Sequence, residues 1–103
     1  MRIAKVIGTV TLSKVHPTVQ GAAFKLAVPL TEENLRTLDD QDLSQNPSVA
    51  DMKAEEFVVY DILGAAEGQF IGVAEGREAV NPFYPEYKPV DAYNALILDR
   101  MNF

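Results

Sequence analysis

The chain has 103 residues, a net charge of −6 and no cysteine. That length allows one domain with a single small core, and the lack of cysteine excludes disulfides and thiolate chemistry. Its nine basic residues are scattered, and affinity for a nucleic-acid backbone needs them gathered against phosphates. No apolar run approaches the roughly 20 residues of a membrane helix. Met1-Arg2-Ile3 leads straight into a strand pattern with no signal-peptide core, so a cytosolic setting is expected.

The first strand is predicted over residues 2–15. Ala4, Val6, Gly8, Val10 and Leu12 alternate with Ile3, Lys5, Ile7, Thr9 and Thr11. Both faces begin apolar, which points to cover on both sides. Pro17 restricts His16 to extended or turn geometry, and Gly21 closes the turn. Phe24, Leu26, Val28 and Leu30 share one face of a second strand, whose end Pro29 places at an edge or bulge. Thr31 is a helix N-cap followed by Glu32 and Glu33, with Leu35 and Leu38 on one face. Asp39 to Ser48 is polar and holds Pro47, which reads as loop, and Ser48 to Asp51 offers a further helical turn.

Phe57-Val58-Val59-Tyr60 is the third strand, β-branched and aromatic. Gly64 and Gly68 bracket Ala65-Ala66-Glu67 as the loop of a hairpin. Phe70 to Ala74 is the return strand. Gly72 within it marks a close backbone approach or a bend. Gly76 ends that strand, and Arg77 to Val80 is one helical turn before Pro82. Asn81 to Pro89 is an irregular proline and aromatic connector. Val90 to Asp99 is the fifth strand, with Tyr93, Ala95 and Ile97 on one face and Leu96 and Leu98 on the other. Five short strands with a small helix near the fourth describe a closed or partly closed barrel.

Reactive chemistry is sparse. His16 is the only histidine, and a strand would turn it and Ser13 to opposite faces. Asp40 to Asp51 has the length of a calcium loop but carries Gln45 where the turn needs glycine, and Pro47 interrupts it. It reads as a solvated acidic loop. Gly64, Gly68, Gly72 and Gly76 recur every fourth residue, yet they surround a hairpin and do not lead a strand into a phosphate-binding helix. Phe83, Tyr84 and Tyr87 near Lys88 could stack bases, although aromatics beside prolines more often pack or anchor an interface. No metal, cofactor or catalytic residue is expected, so the chain reads as a non-enzyme.

Several pieces together resemble the EutN/CcmL family, the small vertex proteins of bacterial microcompartment shells. They are Met1 to Val10, Pro17 to Gly21 with Phe24 to Val28, Phe57 to Val80, and Pro89 to Ala92 with Ala95 to Asp99. The resemblance leaves out residues 31–55 and about 81–88, and 31–55 reads as a surface insertion in one domain spanning 1–103. It implies an OB-like five-stranded barrel with one short helix after the fourth strand. It also implies a homopentamer, cytoplasmic and set in the shell, that caps fivefold vertices among hexameric shell proteins. Gly64, Gly68, Gly76, Ala79, Pro89, Val90, Asp91 and Ala92 match the family's pattern and are the candidate assembly residues. Ala79 and Ala92 are expected at or directly behind the subunit contact, the alternative being the barrel core. Arg77 and Val80 stand where the family often has a small hydroxyl residue and an arginine, so the resemblance does not extend to a pore lining. The competing reading is an OB-type module for single-stranded nucleic acid.

The charge balance generates the first prediction. A labelled single-stranded oligonucleotide should show no measurable binding at physiological salt, and tight, salt-sensitive binding in a fluorescence titration would favour the competing reading.

Overall fold

A computed structural model describes residues 1–12, 14–19, 21, 23–49, 55–86 and 88–101. Strands β1 (Arg2–Val10), β2 (Ala23–Pro29), β3 (Phe57–Asp61), β4 (Phe70–Glu75) and β5 (Ala92–Ile97) close into a barrel in the order β1-β2-β3-β5-β4. Helix α1 (Glu32–Thr37) follows β2, and α2 (Arg77–Val80) follows β4. The five-stranded barrel and the short helix after its fourth strand are as the sequence leads one to expect.

Three local expectations are corrected. The first strand ends at Val10, because its pairing with β2 stops at Val10↔Phe24, and Leu12 lies exposed beyond it. Residues 57–74 are not a hairpin. β5 lies between β3 and β4, parallel to the first and antiparallel to the second. The Gly64–Gly68 loop therefore crosses to β1, where the Gly68 amide donates to the Val6 carbonyl at 2.8 Å and the Val6 amide to that of Gln69 at 2.9 Å. The fifth strand begins at Ala92, and its two faces do not alternate throughout. Gly72 pairs with Leu96 but Val73 pairs with Asn94, so Ala95 is a bulge residue. The extra residue turns Ile97 inward to the core, while Tyr93 stays outside against aromatic rings.

Side chains close in on Gly72 where β4 meets this bulge. A Cβ at Gly72 would lie 2.7 Å from Leu96 Cδ1 and 3.0 Å from Met1 Sδ. β1 carries a bulge of its own, since Val6 pairs with Ala27 and Gly8 with Leu26, leaving Ile7 as the extra residue. The bend lets one strand serve β4 through Arg2 to Lys5 and β2 through Ala4 to Val10.

The barrel interior is made of small and branched residues: Ala4, Val6, Ala27, Val59, Ala65, Ile71, Val73 and Ala92, with Phe57 and Ile97 against them. A second cluster lies outside the barrel. Phe70 points outward and is covered by Leu38 and Leu43, with Leu30, Val49, Leu98 and Met101 around them. The described part of the stretch after β2 thus runs outside the barrel, and it is not merely solvated loop. Thr31 caps α1 through a capping box with Asn34, and the helix ends at Leu38, which is buried. Asp42 caps the turn Leu43–Gln45 by accepting from the Ser44 amide, which delivers Leu43 to Phe70. The Ser44 hydroxyl and amide hold the Asp42 carboxyl below the usual carboxylate range. That cap's contribution is fully present above the unfolded carboxyl's pKa and fades as pH falls through the lowered folded value. Lys5 Nζ lies 5.2 Å from the Phe70 ring centre and donates to the Pro47 carbonyl at 3.0 Å, fastening the far side of the cover. The predicted turn over Ser48 to Asp51 runs partly outside the described residues.

Phe70 and its cover generate the second prediction. Leu43→Ala should destabilise the fold by about 2–5 kcal/mol in urea denaturation, whereas Ser48→Ala, on an exposed site of the same segment, should change it by less than about 0.5 kcal/mol.

Candidate assembly interface

The candidate residues fall into two groups at opposite ends of β4. Gly68 precedes that strand and Gly76 follows it, so about 20 Å of extended chain separates them. Gly64 and Gly68 belong to the loop that crosses to β1. Both have positive φ, +79° and +94°, which favours glycine, and a Cβ at Gly68 would sit 3.2 Å from the Asn46 side chain. Their role as placed is to turn the loop.

Gly76, Ala79, Pro89, Val90, Asp91 and Ala92 come together at the other end. Gly76 has φ +61° and stands at the N-cap of α2, and its amide donates to the Asp91 carbonyl at 2.8 Å. That bond joins the start of the connector to its finish. α2 packs on β4 and β5, and Ala79 is fully buried within the chain. Ala92 faces the barrel interior with Ala4 and Val73. Pro89 and Asp91 are exposed, and Val90 is half-buried.

Beside this junction lies a groove of about 190 Å³ lined by Phe24, Val58, Tyr60, Pro89, Val90, Asp91 and Ala92. It runs across the outer face where β2, β3 and the lead-in to β5 meet. Val58 is 46% exposed although it is an aliphatic residue in a barrel strand. Phe24, Val58 and Tyr60 escaped the sequence reading of the site. In a continuous run such as Phe57 to Tyr60, an outward valine has the same signature as a core valine.

Tyr60, in the groove's lining, is packed among aromatic rings. Tyr60 meets Phe24 at 5.7 Å, Phe83 at 5.5 Å and Tyr93 at 6.4 Å between ring centres. Phe83 and Tyr93 meet edge to face at 5.1 Å. Lys88 Nζ lies 5.1 Å from the Phe83 ring centre and 5.8 Å from that of Tyr60. It also donates to the Glu86 carboxylate at 2.6 Å and to the Thr18 carbonyl. The hydrogen bond it donates to Glu86 raises its pKa above the usual lysine value. The lysine thereby pins the connector to the barrel and to the turn Pro17–Val19.

This packing answers the base-stacking expectation. Phe83 and Lys88 are turned to the barrel and engaged there, Tyr84 is exposed, and Tyr87 lies outside the described residues. His16 Nδ1 lies 2.8 Å from Thr18 Oγ1 and accepts from the Thr18 amide at 3.2 Å. It shapes a turn, and its supposed partner Ser13 lies outside the described residues. Asp40 contacts Arg100 Nη1 through its carbonyl at 2.7 Å and its carboxylate at 3.1 Å, while Asp42 is a cap. Among the described residues no group of three His, Cys, Asp or Glu side chains is placed to hold a metal ion, and Asp51 lies outside them.

The sequence profile of the family described as "Ethanolamine utilisation protein EutN/carboxysome" matches residues 1–99. The carboxysome shell vertex protein CcmL of Synechococcus elongatus is 29% identical over 102 residues, covering 99% of this chain and 87% of that protein. The solved structure of Gloeobacter violaceus CcmL superposes with a TM-score of 0.73 at 24% identity, covering 100% of this chain and 90% of that one. A structure described as the GrpN pentameric microcompartment shell protein from Rhodospirillum rubrum gives 0.71 at 23% identity, covering 100% and 99%.

Both buried alanines generate the third prediction. Ala79→Leu and Ala92→Leu should each destabilise the protein by about 1–3 kcal/mol in thermal unfolding followed by circular dichroism. Unchanged midpoints in both would show that neither site is tightly packed.

Proposed function

The chain belongs to the EutN/CcmL family, and we propose that it is a structural shell protein whose five copies close the fivefold vertices of a polyhedral bacterial microcompartment. The family match carries this reading, because residues 1–99 include every strand of the barrel. The description of the GrpN protein as pentameric supports the ring, and that of the Synechococcus protein as a shell vertex protein supports its place.

The mechanism is geometric. A ring of identical subunits uses a heterologous contact, in which one patch of each copy meets a different patch of the next, and the rotation between copies closes the ring. A fivefold ring set into a layer of hexameric shell proteins forces curvature and seals the corner. In this reading the groove along Val58 and Val90 is one half of that contact. Its apolar walls and its position beside Gly76 and Asp91 suit it to receive a neighbour. Assembly of this kind uses no catalytic group.

Light scattering of the purified protein should return five times the 11.3 kDa chain mass. Val58→Glu puts a charge in the groove at a site already half in water, so it should leave the circular dichroism spectrum unchanged and shift the mass toward that of monomer. A wild-type monomer or dimer at micromolar concentration across a range of salt would sink the ring. A pentamer that survives Val58→Glu would move the contact elsewhere.

A further inference from the structure

Two polar side chains meet inside the barrel. Asp61 is 2% exposed and Asn94 is 0% exposed. Asn94 Nδ2 donates to Asp61 Oδ1 at 3.0 Å. The Leu63 amide donates to the same oxygen at 3.0 Å, and the Ala65 amide to Oδ2 at 2.8 Å. Among the described residues the carboxylate's partners are three N–H donors, two of the backbone and one of a carboxamide, with no charged side chain among them.

The other end of the carboxamide is unsatisfied among the described residues, where Asn94 Oδ1 has no hydrogen-bond partner. An apolar side chain would fill this site beside Val73 and Ala92 without leaving a buried oxygen unpaired. What asparagine adds is the donor to Asp61. That bond crosses between β3 and β5, where the ladder has a single pair, Tyr60↔Tyr93. The groove spans the same seam, with Val58 and Tyr60 on one side and Val90 and Ala92 on the other.

We infer that the Asp61–Asn94 hydrogen bond is the latch that closes the barrel at the β3–β5 seam, and that it holds the outer groove at the width a neighbouring subunit needs. The closure stands on the geometry alone. The link to assembly rests on the reading of the groove as a subunit contact. Asp61 and Asn94 are positioning residues, acting on the groove through the strands that carry them.

The test uses Asn94→Val in the full chain, followed by nuclear magnetic resonance and light scattering. Nuclear Overhauser contacts between the Tyr60 and Tyr93 rings should weaken. The Leu63 and Ala65 amides should exchange about tenfold faster, the effect of one lost hydrogen bond, while the Lys5 and Val28 amides keep their rates. The concentration for half-assembly should rise by about tenfold as well. An unchanged seam overturns the latch, whatever the ring does. A loosened seam with an unchanged ring overturns the link to assembly. A wild-type chain that never assembles defeats the shell reading and leaves the seam measurements to decide the latch. Should Asn94→Val be insoluble, Asn94→Asp keeps the volume and sets two carboxylates against each other. Protection of Leu63 and Ala65 should then be low at neutral pH and return on acidification, when one proton bridges the pair. Protection that does not return overturns the latch.

Discussion

The position of β5 between β3 and β4 is the constraint on which the rest of the molecule turns. It runs parallel to β3, and a parallel neighbour cannot be reached by a tight turn. The chain must leave β4, travel over the barrel and come back in the same direction as β3. Residues 76–91 are that crossover. The Gly76–Asp91 hydrogen bond draws its ends together, α2 seats its beginning on Ala79, and Phe83 with Lys88 presses its middle onto Tyr60 and Tyr93. Gly76 suits the positive φ with which the chain leaves β4, and Ala79 is buried where α2 packs on β4 and β5. The groove is what remains where the crossover meets the strand face.

A five-stranded barrel is narrow, which explains where the large residues lie. Its interior is dominated by alanine and valine, and a Phe70 turned inward would not fit among them at native packing density. The large apolar side chains sit outside on two faces. One face, Phe70 with Leu38 and Leu43, is covered by the chain's own segment after β2. The other, Phe24, Tyr60 and Tyr93, is covered by the crossover and left open along Val58. On β1, Val6 looks into the barrel while Lys5 lies across the ring of Phe70.

Much of this was legible in the chain, and the failures share a cause. The β-branched and aromatic runs Phe57 to Tyr60 and Phe70 to Ala74 identify strands, since residue preference is a local property of the chain. It is silent on which strand lies next door, so two strands joined by Gly64–Gly68 read as a hairpin when β5 belongs between them. Gly72 was legible because an absent side chain inside a strand has few uses other than close approach. The bulge at Ala95 was not, since a bulge residue needs no special side chain. Thr31 and Leu38 announced α1 through capping and helical spacing, whereas Leu43 hung on a single turn with no period to betray it. The junction of Gly76 with Pro89 to Ala92 came from the family pattern. Phe24 and Val58, which complete the groove, became visible only when the fold showed which valines face outward.

The proposed ring would ask more of a chain this size than the fold does. Each copy must present two unlike patches at a fixed angle, and both must hold that angle before a neighbour arrives. Strand ladders supply the rigidity where they are long, as between β1 and β2. The groove lies over the joint where the ladder is shortest, so its shape must be held by other means. Outside the barrel this falls to the stacked rings and the engaged Lys88. Inside it falls to Asp61 and Asn94, polar groups in a core that would pack more simply without them. Polar pairs of this kind add little net stability but penalise every alternative alignment of the strands that carry them. That is the property a subunit needs when an error of angle, repeated at each contact, would leave the ring open.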